Sequence, residues 1–134
     1  MLACAQTFCD FLESKNLYFE SFTDDEGDAI VKFPYEGKIT KCIFSGDDGK
    51  YLSLYMLYEN IPEEKLADLI FACNELNTKY KWVTFYVDGD RDLMLHDDAL
   101  LSYDTAAEEA FEMLARMINI STEAKPVIMR ALYV

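Results

Sequence analysis

Asp88, Asp90 and Asp92 stand at alternate positions, the spacing of the first ligands in a calcium-binding loop. Such a loop also needs glycine at its sixth position and glutamate at its twelfth, where this chain has Leu93 and Ala99. The triplet therefore reads as an acidic hairpin turn, and Asp24 to Asp28 and Asp47-Asp48 read the same way. His96 is the single histidine, which cannot furnish a His-rich metal centre, and no nucleophile motif accompanies it. It reads as a strand-end residue without a catalytic role. The four cysteines, Cys4, Cys9, Cys42 and Cys73, form no C-x-x-C pair and read as reduced packing thiols. A dinucleotide G-x-G-x-x-G, a phosphate loop and a G-x-S-x-G elbow are all missing. No cofactor or metal is expected. Catalysis by carboxylates alone is the weakest reading, because nothing selects a pair among them.

The bulk composition narrows the partners. The 134 residues fit one domain, spanning 1–134, and can bury a core without disulfides or metals. Twelve basic against 25 acidic residues give a net charge of −13, which repels phosphate backbones and anionic lipid. Nucleic acid and membranes are not expected partners. No run approaches the length of a membrane span, and Met1 to Asp10 lacks the layout of a signal peptide. With the thiols reduced, a cytoplasmic location follows.

Periodicity then supplies the elements that would position any site. Leu2, Ala5, Phe8, Cys9 and Leu12 predict an amphipathic helix over 2–15, ended at Lys15-Asn16. Leu17 to Phe22 is short and β-prone. Three alternating runs follow, Ala29 to Tyr35, Ile39 to Ser45 and Tyr51 to Tyr58, joined by Glu36-Gly37-Lys38 and Gly46-Asp47-Asp48-Gly49. Pro62 predicts a helix start, with Leu66, Leu69, Ile70, Cys73, Leu76 and Tyr80 as its apolar stripe. Trp82 to Val87 and Leu93 to His96 predict a second hairpin. Asp104 or Thr105 is expected to cap a last helix, with Glu108 completing a T-x-x-E capping box and Ala107, Ala110, Phe111, Leu114, Met117 and Ile118 inward. Pro126 interrupts its end, leaving Val127 to Tyr133 as a short tail element. The expected class is α+β: an antiparallel sheet with helices mainly on one face, in the order α-β-β-β-α-β-β-α.

Tyr51-Leu52-Ser53-Leu54-Tyr55, Ile61-Pro62-Glu63-Glu64-Lys65-Leu66 and Asn74-Glu75-Leu76-Asn77 together resemble the YbjN-like family. Phe111-Glu112-Met113-Leu114 and Lys125-Pro126-Val127-Ile128-Met129 extend the likeness over nearly the whole chain. The family is described in terms of bacterial sensory-transduction regulation. The resemblance implies a fold similar to type III secretion chaperones, which are small, acidic, usually dimeric cytoplasmic proteins that hold other proteins without enzymatic activity. The Cys-rich first helix departs from the family pattern.

Two residue groups are left to carry function. Asn77 lies on the apolar stripe of its helix, with Asn74 beside it; we read both as structural helix-end amides rather than partner-binding groups. If Leu52, Leu54 and Met56 face the helices, then Tyr51, Tyr55 and Leu57 face away, with Trp82 and Tyr86 beside them and Ile30 and Ile43 adjacent. Aromatics on an open face suit an interface. The alternatives are that the helices cover this face too, or that the register is shifted by one. The leading expectation is thus a non-enzymatic protein-binding module, chaperone-like or regulatory, acting as a homodimer on a protein client. The alternative is an acidic adaptor or inhibitor that imitates a polyanion to block a basic protein.

Overall fold

A computed structural model describes residues 1–134. Helix α1 (Ala3–Ser14) leads into strands β1 (Glu20–Thr23), β2 (Ala29–Tyr35), β3 (Lys38–Ser45) and β4 (Tyr51–Asn60). Helix α2 (Leu66–Lys79) follows, then β5 (Thr84–Val87), β6 (Asp92–Leu100), α3 (Ala106–Glu123) and α4 (Lys125–Tyr133). The six strands form one antiparallel sheet in the order β1-β2-β3-β4-β6-β5. The α+β class and the broad element order match the expectation. The first strand block has four members rather than three, and the tail after Pro126 is a fourth helix.

Local chemistry explains the boundaries. Asn16 closes α1 in the left-handed region, φ 58°, while the Leu17 amide donates to the Leu12 carbonyl. Glu36 and Gly37 both have positive φ, the two-residue turn whose twist suits a hairpin, and Tyr35 pairs with Lys38 across it. The acidic turns share one device: Asp24 Oδ1 accepts from the Glu26 and Asp28 amides, and Asp88 Oδ1 from the Asp90 and Asp92 amides. The capping box does not form. Glu109, not Glu108, accepts from the Ser102 amide and the Thr105 hydroxyl, because a 3₁₀ turn over Tyr103–Thr105 moves the cap back to Ser102. On α2 the buried stripe is Leu69, Ala72, Cys73 and Leu76. Ile70 is exposed, lying one residue round from the face that meets the sheet.

The core fills one side of the sheet. Leu52, Leu54, Met56 and Tyr58 of β4 join Cys42, Phe44, Leu93, Leu95 and Phe85 against residues of all four helices in a cluster of 32 buried residues. Phe8 of α1 and Phe44 of β3 are fully buried and their rings lie 5.6 Å apart. All four thiols are free and buried; burial pushes Cys73 up to about 11 and Cys42 higher still. A thiolate is the reactive species, so these groups are poor nucleophiles in the folded chain. Titration of unreduced protein with a thiol reagent is expected to find four groups in denaturant and to react very slowly without it. Finding only two in denaturant would reveal a disulfide.

Candidate interaction surface

Strand β4 runs through the sheet between β3 and β6, so its alternation decides both faces. With Leu52, Leu54 and Met56 turned to the helices, Tyr51, Ser53, Tyr55 and Leu57 turn to the other side. The register sets their neighbours in rows. Lys32, Lys41, Tyr55, His96 and Thr84 form one row across five strands. Leu57, Met94 and Tyr86 form the next, and Tyr51 pairs with Leu100 at the far end. Tyr51 and Leu57 are 56% and 47% exposed, while Tyr55 and Tyr86 are half-buried among their neighbours. Ile30 is buried on this face, flanked by Phe22 and Ile43. Gly46 shapes the Tyr51 end: its φ is 72°, and a Cβ there would sit 2.0 Å from the Tyr51 ring.

Polar groups divide the face. The Ser53 hydroxyl donates to Asp98 Oδ1 at 2.6 Å, and His96 Nε2 meets the same oxygen at 2.9 Å. Both partners bind one oxygen, so the imidazole does not stand between carboxylate and hydroxyl, as activation of a serine requires. The His96 ring instead stacks on Tyr55, centroids 4.4 Å apart and planes within 2°. Partial burial alone would raise the Asp98 carboxyl; the bonds from Ser53 and His96 outweigh it and hold the group below the usual carboxylate range. Its contribution to stability is therefore present at neutral pH and fades as pH falls through that lowered value. Partial burial, then the nearby Tyr55 and Asp88, raise the Tyr86 phenol.

Tyr51, Tyr55, Leu57 and Tyr86 are thus brought onto one face, and Trp82 is not. It precedes β5 with φ 76°, which breaks the alternation, and its 63% exposed ring lies against the guanidinium of Arg116 on α3, 4.6 Å from its centroid. Its place is with the helix layer. His96, Met94, Leu100 and Ile39 were missing from the predicted face. Strand β6 runs to Leu100 rather than ending at His96, paired with β4 as far as Tyr51, and Ser53 and His96 satisfy the Asp98 side chain along the way. The signal was present as apolar Met94 and Leu100 two residues either side of His96 and Asp98. Asn77 donates to the Phe85 carbonyl at 2.9 Å and accepts from the Phe85 amide at 2.7 Å, although its own surface is exposed rather than buried. Asn74 is exposed.

Asp97 points the other way, toward α3. Burial, then the charge of Asp98, raise its carboxyl, and the Asp98 amide and Arg116 only partly offset them. A raised folded-state pKa favours the protonated form, so this group's contribution is complete below the ordinary carboxylate range and is lost as pH rises through the raised value. Asp97→Asn keeps an acceptor for the Asp98 amide, 2.9 Å away. Its melting midpoint at pH 7 is expected to exceed that of the parent, with the gain vanishing near pH 3, at roughly one unit below the carboxylate reference. Equal midpoints at pH 7 would refute the sign.

The architecture defines a class: one antiparallel sheet backed by four helices, with its other face bare of them. Comparison with known families matches residues 5–128 to YbjN, described as "putative bacterial sensory transduction regulator". The chain belongs to the YbjN family. No curated protein matches it. No helix is long and apolar enough to cross a membrane.

Proposed function

We propose that this chain is a non-enzymatic regulatory module that binds protein through the outer sheet face, which a second copy covers in the free protein. The observation that carries the reading is Tyr51, Tyr55, Leu57 and Tyr86 on a face that no helix covers. Exposed apolar patches of more than a few hundred Å² are uncommon on monomers. A two-fold interface sets one patch against itself, so it needs both charge signs on that patch. Here Lys32 and Lys41 share the face with Asp98. The same lysines count against a polyanion mimic, since they place positive charge on the open face itself. The regulatory role agrees with the family; client binding in the manner of a secretion chaperone would use the same face once the dimer opens.

The net charge of −13 opposes self-association, so the dimer is expected to tighten as salt screens it. Tyr55→Glu would bury an unpaired charge at the centre and weaken the dimer by about 100-fold or more. Sedimentation at two salt concentrations should find the parent dimeric and the variant monomeric, with unchanged far-ultraviolet dichroism. A parent that stays monomeric at both salts, or a variant that still dimerises, would remove this face as the self-association surface.

A further inference from the structure

The pairing of β3 with β4 stops at Thr40 and Met56. Beyond it the register of β4 on β6 shifts between Leu57 and Glu59, leaving Tyr58 without a ladder partner. The two strands part, and a cleft of about 340 Å³ opens on the helix side, roofed by the junction of α3 and α4. Its walls include three hydroxyl side chains that are largely buried: Thr40 at 1%, Tyr58 at 6% and Ser121 at 7% exposure. Ser121 Oγ donates to the Ile118 carbonyl, whereas the hydroxyls of Thr40 and Tyr58 make no hydrogen bond within the chain. Neither oxygen is sealed from solvent, the one buried hydroxyl without a partner being Tyr80 Oη, outside this cleft. Two lysines border the same cleft in a chain with only twelve basic residues. Lys38 is held inward: Nζ donates to the Tyr58 carbonyl and lies 4.3 Å from the Tyr58 ring centroid. An ammonium has three protons, so two stay free for a ligand. Lys125 lines the cleft from an exposed position, and Glu36 is the one acidic residue in the lining.

We propose that this cleft binds a small organic anion, its carboxylate or phosphate head taken by Lys38, Lys125 and the hydroxyls of Thr40 and Tyr58, and its apolar body laid against Met56 and Met129. Hydroxyl and ammonium donors lining one cleft suit anionic oxygens, which accept several bonds at once. The cleft lies on the side of the sheet opposite the proposed protein-binding face, so the two readings stand or fall separately.

The test is an amide NMR titration of the full chain with two probes, inorganic phosphate and butyrate, each carried to about 10 mM, a concentration that detects a weak site. Saturable shifts at Thr40, Tyr58 and Ser121 are expected from at least one probe, and which probe acts assigns the head group. Thr40→Val keeps the shape and removes only the hydroxyl, so affinity should fall about tenfold while the melting midpoint holds or rises. Tyr58→Phe should behave alike, and Lys125→Ala should weaken binding without affecting the fold. No saturable shift from either probe would overturn the proposal. So would shifts that persist unchanged in Thr40→Val and Lys125→Ala, or a Thr40→Val melting midpoint several degrees lower, which would give that hydroxyl a structural role.

Discussion

Phe8→Ala is expected to destabilise the chain by about 3–5 kcal/mol, the largest effect of any single truncation in α1. The side chain is fully buried and packs on Phe44, itself fully buried in β3. Truncation removes that apolar area from the core and leaves a cavity between helix and sheet, which the backbone of β3 cannot fill because it is paired on both sides. A neighbouring control separates the core from the helix itself. Gln6→Ala changes an exposed residue whose only side-chain bond is to Asp10, and should move stability by less than about 0.5 kcal/mol. Urea unfolding followed by dichroism gives both numbers. A loss below about 1 kcal/mol for Phe8→Ala would mean that α1 is not part of the cooperative core.

Asn77→Ala should cost about 2–3 kcal/mol, far more than its exposed position suggests. Its amide meets both backbone groups of Phe85, and truncation would orphan an N–H and a C=O on a residue only 1% exposed. Asn77→Asp tests the two-point geometry, since a carboxylate can still accept from the Phe85 amide but repels its carbonyl. It should therefore lose nearly as much as alanine. Asn74→Ala, one turn earlier on an exposed position, should be close to neutral. Equal, small losses at both asparagines would show that the clamp carries no net stability.

Strand alternation was the readable part of this chain. From Tyr51 to Tyr58 large apolar residues fall on both faces, yet the period still separated the core set from the outer set correctly. It failed where backbone conformation leaves the extended region, as at Trp82, whose positive φ no pattern of side-chain types announces. It also fell short at β6, where Asp97 and Asp98 look like a loop until cross-strand partners such as Ser53 are known. Those partners lie 45 residues away, and a local pattern cannot supply them. The cleft beside Thr40 was invisible for the same reason: it exists because β3 and β4 stop pairing two residue pairs earlier than their length allows.

The Asn77 clamp also bears on how copies of this chain can add to one another. Phe85 belongs to β5, one of the two outermost strands, and the side-chain amide occupies the hydrogen-bonding groups a foreign strand would seek. The opposite margin, β1, is exposed at every residue from Glu20 to Thr23 and has nothing comparable across it. Fibril growth requires each copy to offer two open margins, one for the copy behind and one for the copy ahead. With a single such margin, two copies that zip together along β1 use up what each has to offer. Assembly by that route halts at a pair, and Asn77→Ala is the change that would let it run on.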